Sequence, residues 1–110
     1  VDLGDRTSVL TTAQTLEDTG VGAYNGAGNR IENATYLLLA GKIVSVEARH
    51  AAAIRDILNE SDPKAFAGDD VIDEDGLDIA LTPAEVIDRA NPFITTEFTA
   101  NELPEPMTGA

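Results

Sequence analysis

Cysteine is absent from this 110-residue chain, which excludes disulfide staples and thiolate metal sites. Any metal held here sits among oxygen and imidazole ligands, a set that suits iron, manganese or another hard cation better than structural zinc. Basic residues are scarce, 7 against 20 acidic ones, for a formal net charge of −13. Such a surface repels nucleic acid and anionic membranes, so neither is expected as a partner. The acidic excess fits a well-solvated surface, a salty habitat or the attraction of cations. No apolar run is long enough to span a bilayer, and no signal peptide is visible. The chain opens at Val1 rather than at methionine, as a processed or truncated chain does, so the missing leader says nothing about export. The length allows one small domain with a thin core.

Proline is missing from the whole first half; all 5 prolines follow Ser61. That first half reads as two long helices. The first starts among the capping residues Asp5 to Ser8 and stops near Gly26 to Gly28. Gly20, Gly22 and Gly26 lie inside it, each costing ~1 kcal/mol relative to alanine, which implies a bend or close approach by a neighbouring helix. The second starts after Asn33, a good N-cap, and runs to about Leu58 or Glu60. The link between them is short, so the helices pack antiparallel. The expected fold is therefore all-α, with residues 1–60 forming a two-helix hairpin that supplies half of a four-helix bundle. Residues 61–110 are acidic and proline-containing, and they are expected to wrap over the hairpin. One short helix is predicted there, near 83–90, with Thr82 as cap, Pro83 in first position and Glu85 closing a capping box. Phe93, Ile94 and Phe98 are the expected apolar anchors, and Glu102 to Ala110 an extended tail.

The second helix carries a stripe at steps of four and three: Tyr36, Ala40, Ile43, Glu47, His50, Ile54, Ile57. These share one face, and Glu47 and His50 interrupt an otherwise apolar or aromatic row. The first helix has a matching stripe, Leu10, Ala13, Glu17, Gly20, Tyr24, Ala27, again with one carboxylate. Antiparallel packing brings Glu17 to the height of Glu47 and His50 within roughly one to two helical turns. A carboxylate buried without a partner costs several kcal/mol, and a bound divalent metal compensates it. Glu17, Glu47 and His50 are therefore candidate metal ligands. Di-iron carboxylate bundles take a Glu from each of two helices and Glu-x-x-His from each of the other two. This chain holds one copy of each element. The competing reading is a solvated Glu47–His50 pair at i, i+3, worth tenths of a kcal/mol.

Other features point to less. Tyr24, on the same stripe, fits either a packing tyrosine or a hydrogen-bond donor behind the ligands. Arg49 and Arg55 are expected to pair with surface carboxylates. The glycine run lacks the spacing and the preceding strand of a dinucleotide-binding loop. Asp73-Glu74-Asp75-Gly76 lacks acidic residues at the ends of a calcium-loop register and reads as a solvated loop.

Residues Leu16 to Ala27, LEDTGVGAYNGA, resemble the third bundle helix of the ferritin-like domain found in desiccation-related and twin-arginine-exported proteins. Ile43 to Arg55, IVSVEARHAAAIR, resemble that family's fourth helix, and LTPAEV at Leu81 to Val86 and NPFI at Asn91 to Ile94 resemble its C-terminal segment. The resemblance implies a ferritin-like fold with Glu17, Glu47 and His50 as ligands of di-iron or manganese, and ferroxidase or peroxide chemistry. It also implies an exported or periplasmic protein. The family's earlier helix pair, with its own Glu and Glu-x-x-His, has no counterpart here. The implied site is thus completed by a second hairpin, as a twofold homodimer, or by a missing N-terminal helical half. The alternative function is a structural or stress-protective bundle without metal turnover.

Overall fold

The computed structural model describes residues 1–96 and 98–108. Helix α1 spans Arg6–Ala27 and α2 spans Ala34–Leu58, joined by a 3-10 turn at Gly28–Arg30. Both start where their caps dictate. The Asp5 carboxylate accepts the Thr7 N–H at 3.0 Å. The Asn33 side-chain oxygen accepts from Thr35 and Tyr36 at 2.9 and 3.2 Å, satisfying amides that no helical carbonyl reaches. Thr12, Thr15 and Thr19 turn their hydroxyls back onto the carbonyls four residues earlier, so these β-branched residues sit within α1 with their polar groups bonded. Contacts at residues 17 and 20 of α1 meet residues 50 and 47 of α2 respectively. Rising numbers on one helix thus face falling numbers on the other, which makes the hairpin antiparallel.

One side of the hairpin is covered by the chain that follows α2. A 3-10 turn at Ala65–Ala67 leads into a short loop closed by the antiparallel bridge between Ile72 and Asp78. The acidic stretch at its tip is a tight turn. There the Asp73 carboxylate accepts the Asp75 and Leu77 N–H groups at 3.0 and 2.9 Å, and Gly76 takes a φ of +79°, the left-handed region that glycine enters without strain. The strongest attachment is Leu81, which is buried. Its N–H donates to the Gly22 carbonyl at 2.9 Å, and a Cβ on Gly22 would lie 2.6 Å from Leu81 Cγ. A Cβ on Gly26 would run into the Leu81 carbonyl oxygen. The expected neighbouring helix is found at Gly20, where α2 approaches, but Gly22 and Gly26 instead form a notch that Leu81, outside any helix, fills.

Helix α3, Pro83–Ala90, follows at once with the complete capping box: the Glu85 carboxylate accepts the Thr82 N–H at 2.7 Å, and Thr82 Oγ1 accepts the Glu85 N–H at 3.4 Å. A 3-10 turn at Asn91–Phe93 ends it. Phe93, Ile94 and Phe98, the expected anchors, each stay more than a third exposed. The attachment they were expected to make falls instead to Leu81. The tail lies back on the α1–α2 turn, where Met107 N–H donates to the Asn29 carbonyl at 2.7 Å and the Arg30 guanidinium donates to the Pro104 carbonyl; residues 109 and 110 of the expected tail fall outside the described residues. The buried apolar core is Val21, Ala40, Ala51 and Leu81, small side chains for the most part. Among the described residues no helix is long and apolar enough to cross a membrane.

Candidate metal centre

By helical spacing, Val9 and Leu16 of α1 and Tyr36, Leu39, Ile43, Val46 and Ile57 of α2 fall on the side of the hairpin that carries the ligand stripes, and each is exposed. Glu17, Glu47 and His50 lie along the edge of this face. Helical spacing alone puts Glu47 and His50 on neighbouring turns of one face of α2. Glu17 reaches them from α1, and His50 Nδ1 lies 3.2 Å from Glu17 Oε1. The imidazole therefore pairs across the hairpin rather than with Glu47 along its own helix. His50 is 57% exposed in its side chain and Glu17 27%, so the pair sits at the mouth of the seam.

Glu47 lies deeper. Its Oε2 is buried and has no hydrogen-bond partner among the described residues. The carboxylate rests on the bare backbone of Gly20: a Cβ there would lie 2.6 Å from Glu47 Oε2 and 3.1 Å from Cδ. Glycine at position 20 thus makes room for a carboxylate. Burial pushes the Glu47 pKa up, the Glu17 charge adds to the rise, and His50 opposes it. Stability carried by such a raised acid is present at low pH and lost as pH rises through its folded-state value.

The structure brings Glu17 and His50 into contact and sets Glu47 within the electrostatic reach of both. Among the described residues no group of three or more His, Asp or Glu side chains is gathered tightly enough to hold a metal ion by itself. Tyr24 is half-buried on α1, two turns beyond Glu17.

Arg55 pairs with carboxylates as expected, but from a buried position. It is 6% exposed and grips two carboxylates. Its Nε lies 3.0 Å and its Nη2 2.7 Å from Asp18 of α1; its Nη1 and Nη2 lie 3.0 and 2.7 Å from Asp70 of the loop. Asp18 is itself nearly buried, whereas Asp70 is open to solvent. These hydrogen bonds raise the Arg55 pKa and hold the Asp70 carboxyl below the usual range. The available sequence signal was that Arg55 continues the face of Ala40, Val44 and Ala51, which packs inward.

Among known families, the ferritin-like domain matches residues 1–60 of this chain. No curated protein and no solved structure matches it.

Proposed function

The chain belongs to the ferritin-like domain family, and from that premise we propose that it is a metal-binding protein whose ligands are Glu17, Glu47 and His50. The observation that carries the reading is the buried Glu47 Oε2, which has no partner among the described residues. A buried acceptor left unpaired costs about 1–3 kcal/mol, and a cation at that atom removes the penalty. The donor set, two carboxylates and one imidazole with no thiolate, suits iron or manganese. Glu47 would chelate or bridge, Glu17 would be a terminal carboxylate and His50 a terminal nitrogen donor. A dinuclear iron centre of this kind supplies oxidation of iron(II) by oxygen or peroxide. The chain's own residues supply charge neutralisation, and the apolar face around them excludes water once covered.

Three ligands make half of such a centre. The open face is proposed to take a second copy of the hairpin about a twofold axis, giving four carboxylates and two histidines; a further helix pair of a longer chain is the other source. Leaving so many apolar side chains exposed on one face is unusual for a monomer.

Replacing Glu47 or His50 by alanine should each weaken iron(II) or manganese(II) binding sharply. Unchanged metal stoichiometry in both variants would refute the assignment. A second reading, a structural or stress-protective bundle without metal turnover, draws on the direct Glu17–His50 pair, which is already satisfied without a metal. It predicts that neither substitution alters metal content, and that iron(II) oxidises no faster with the protein than without it.

A further inference from the structure

The α1–α2 seam is lined by small side chains: Gly20 and Val21 on α1, Ala40, Ala48 and Ala51 on α2. Beside Arg55, Val21, Ala48 and Ala51 meet Phe66, Val71 and Ile79 of the covering chain around a cavity of about 30 Å³. Small side chains let the two backbones approach closely and leave shallow ridges between the helices. A slip of one turn would move α2 by about 5.4 Å, which would part His50 from Glu17 and lift Glu47 from Gly20. Far from the short interhelical turn, holding that register calls for a directional contact.

Arg55 meets that requirement. Its planar guanidinium holds Asp18 through bonds of 3.0 and 2.7 Å, a fork geometry that tolerates no axial slip. Asp18 follows Glu17 directly in the chain, on the first helix. Arg55 lies 5 residues beyond His50 on the second. The second fork, to Asp70, fixes the guanidinium from the other side. Buried ion pairs contribute little net stability but set register in helical assemblies.

We infer that Arg55 is a positioning residue for the metal centre: by locking Asp18 it sets the register that brings Glu17, Glu47 and His50 to one height. This rests on the metal-binding reading above. Arg55 touches none of the three candidate ligands and acts through the helix register alone.

The test separates register from stability and from metal binding. Because the chain has no cysteine, Gly20→Cys with Glu47→Cys creates a single cross-linkable pair across the seam. It should oxidise readily in the otherwise native chain, and needs no metal. Adding Asp18→Leu with Arg55→Met replaces the buried pair by apolar side chains, a change that often leaves stability equal or higher. Cross-linking should then fall by about tenfold, since Cα atoms more than ~7 Å apart do not bridge. In a cysteine-free chain the same two substitutions should weaken cobalt(II) binding by about 10–100-fold, as loss of a ligand's supporting contacts does. Should that variant fail to melt cooperatively, Arg55→Lys, which keeps the charge and loses the fork, should lower both readouts by a smaller factor. Undiminished cross-linking, or undiminished cobalt(II) affinity, in a folded variant would overturn the positioning role. A native chain that binds no cobalt(II) overturns the metal-binding reading itself, whatever the cross-link shows.

Discussion

Gly20→Ala is the substitution in which stability and function should part most clearly. In the interior of α1, alanine is favoured over glycine by about 0.8–1.0 kcal/mol. Against this stands one contact: the new Cβ would fall 2.6 Å from Glu47 Oε2, 3.1 Å from Cδ and 3.3 Å from Oε1. All three atoms belong to the far end of a flexible side chain, which can swing aside at a cost of about 0.5–1.5 kcal/mol if it leaves its rotamer well. The two terms nearly cancel, and release of the unpaired Glu47 Oε2 to solvent adds about 1–3 kcal/mol in the variant's favour, so the metal-free variant should melt at or a few degrees above the native chain. Metal binding should not survive so well. The carboxylate would be displaced from the place the glycine keeps clear, and losses from disturbed ligand support run to about 10–100-fold in affinity. Circular dichroism melts and a manganese(II) titration followed by electron paramagnetic resonance measure the two quantities separately. Native affinity in a folded Gly20→Ala chain would refute the idea that Gly20 exists to seat Glu47. A large loss of stability would show that Glu47 cannot move, contrary to its being the free end of a surface-edge side chain.

Gly26→Ala, the same change six residues on, should behave oppositely, because its Cβ meets the backbone carbonyl of Leu81; a loss of at least about 1–3 kcal/mol in urea unfolding is expected, and a neutral result would contradict the notch. Leu81→Ala should cost about 2–5 kcal/mol by emptying that notch, again read from unfolding midpoints. The Asp70 carboxyl is held below the usual range by Arg55, so its contribution to stability is present above the ordinary carboxylate pKa and is lost as pH falls through its folded-state value. Asp70→Asn should therefore flatten the acid limb of a melting-temperature profile below about pH 4, and an unchanged limb would argue against the ion pair. Glu47→Gln removes the raised acid and its buried charge, so the metal-free chain should melt higher at neutral pH while metal uptake drops; a lower melting temperature there would mean that Glu47 is already compensated.

Local signals carried most of the fold. Asp5, Asn33 and Thr82 each open a helix because a side-chain oxygen meets amides two or three residues on, and that chemistry is visible in the sequence. The stripes put Glu17, Glu47 and His50 on one interhelical seam, and across it His50 Nδ1 lies 3.2 Å from Glu17 Oε1. Two features were not legible because they depend on distant chain. Gly22 and Gly26 announced a close approach, yet nothing local identified Leu81, 55 residues beyond Gly26, as the side chain that fills the notch. Arg55 was expected to pair with surface carboxylates, and Asp70 is one, but its burial was not legible, since arginine is rarely buried without partners. Its partners come from separate elements, Asp18 on α1 and Asp70 in an irregular loop, and only the folded chain brings both to it. Phe93, Ile94 and Phe98 misled in the other direction: large apolar side chains suggested anchoring, but the segment had already been fixed by Leu81.

The central claim is that one hairpin supplies half of a metal centre and a second supplies the rest. Metal content measured together with solution mass tests it most directly. After anaerobic loading with iron(II) and removal of excess, the account predicts a species of twice the 11.6 kDa chain mass with about one iron per chain, lost together in Glu47→Ala. A compact monomer that retains no iron under the same conditions would contradict it.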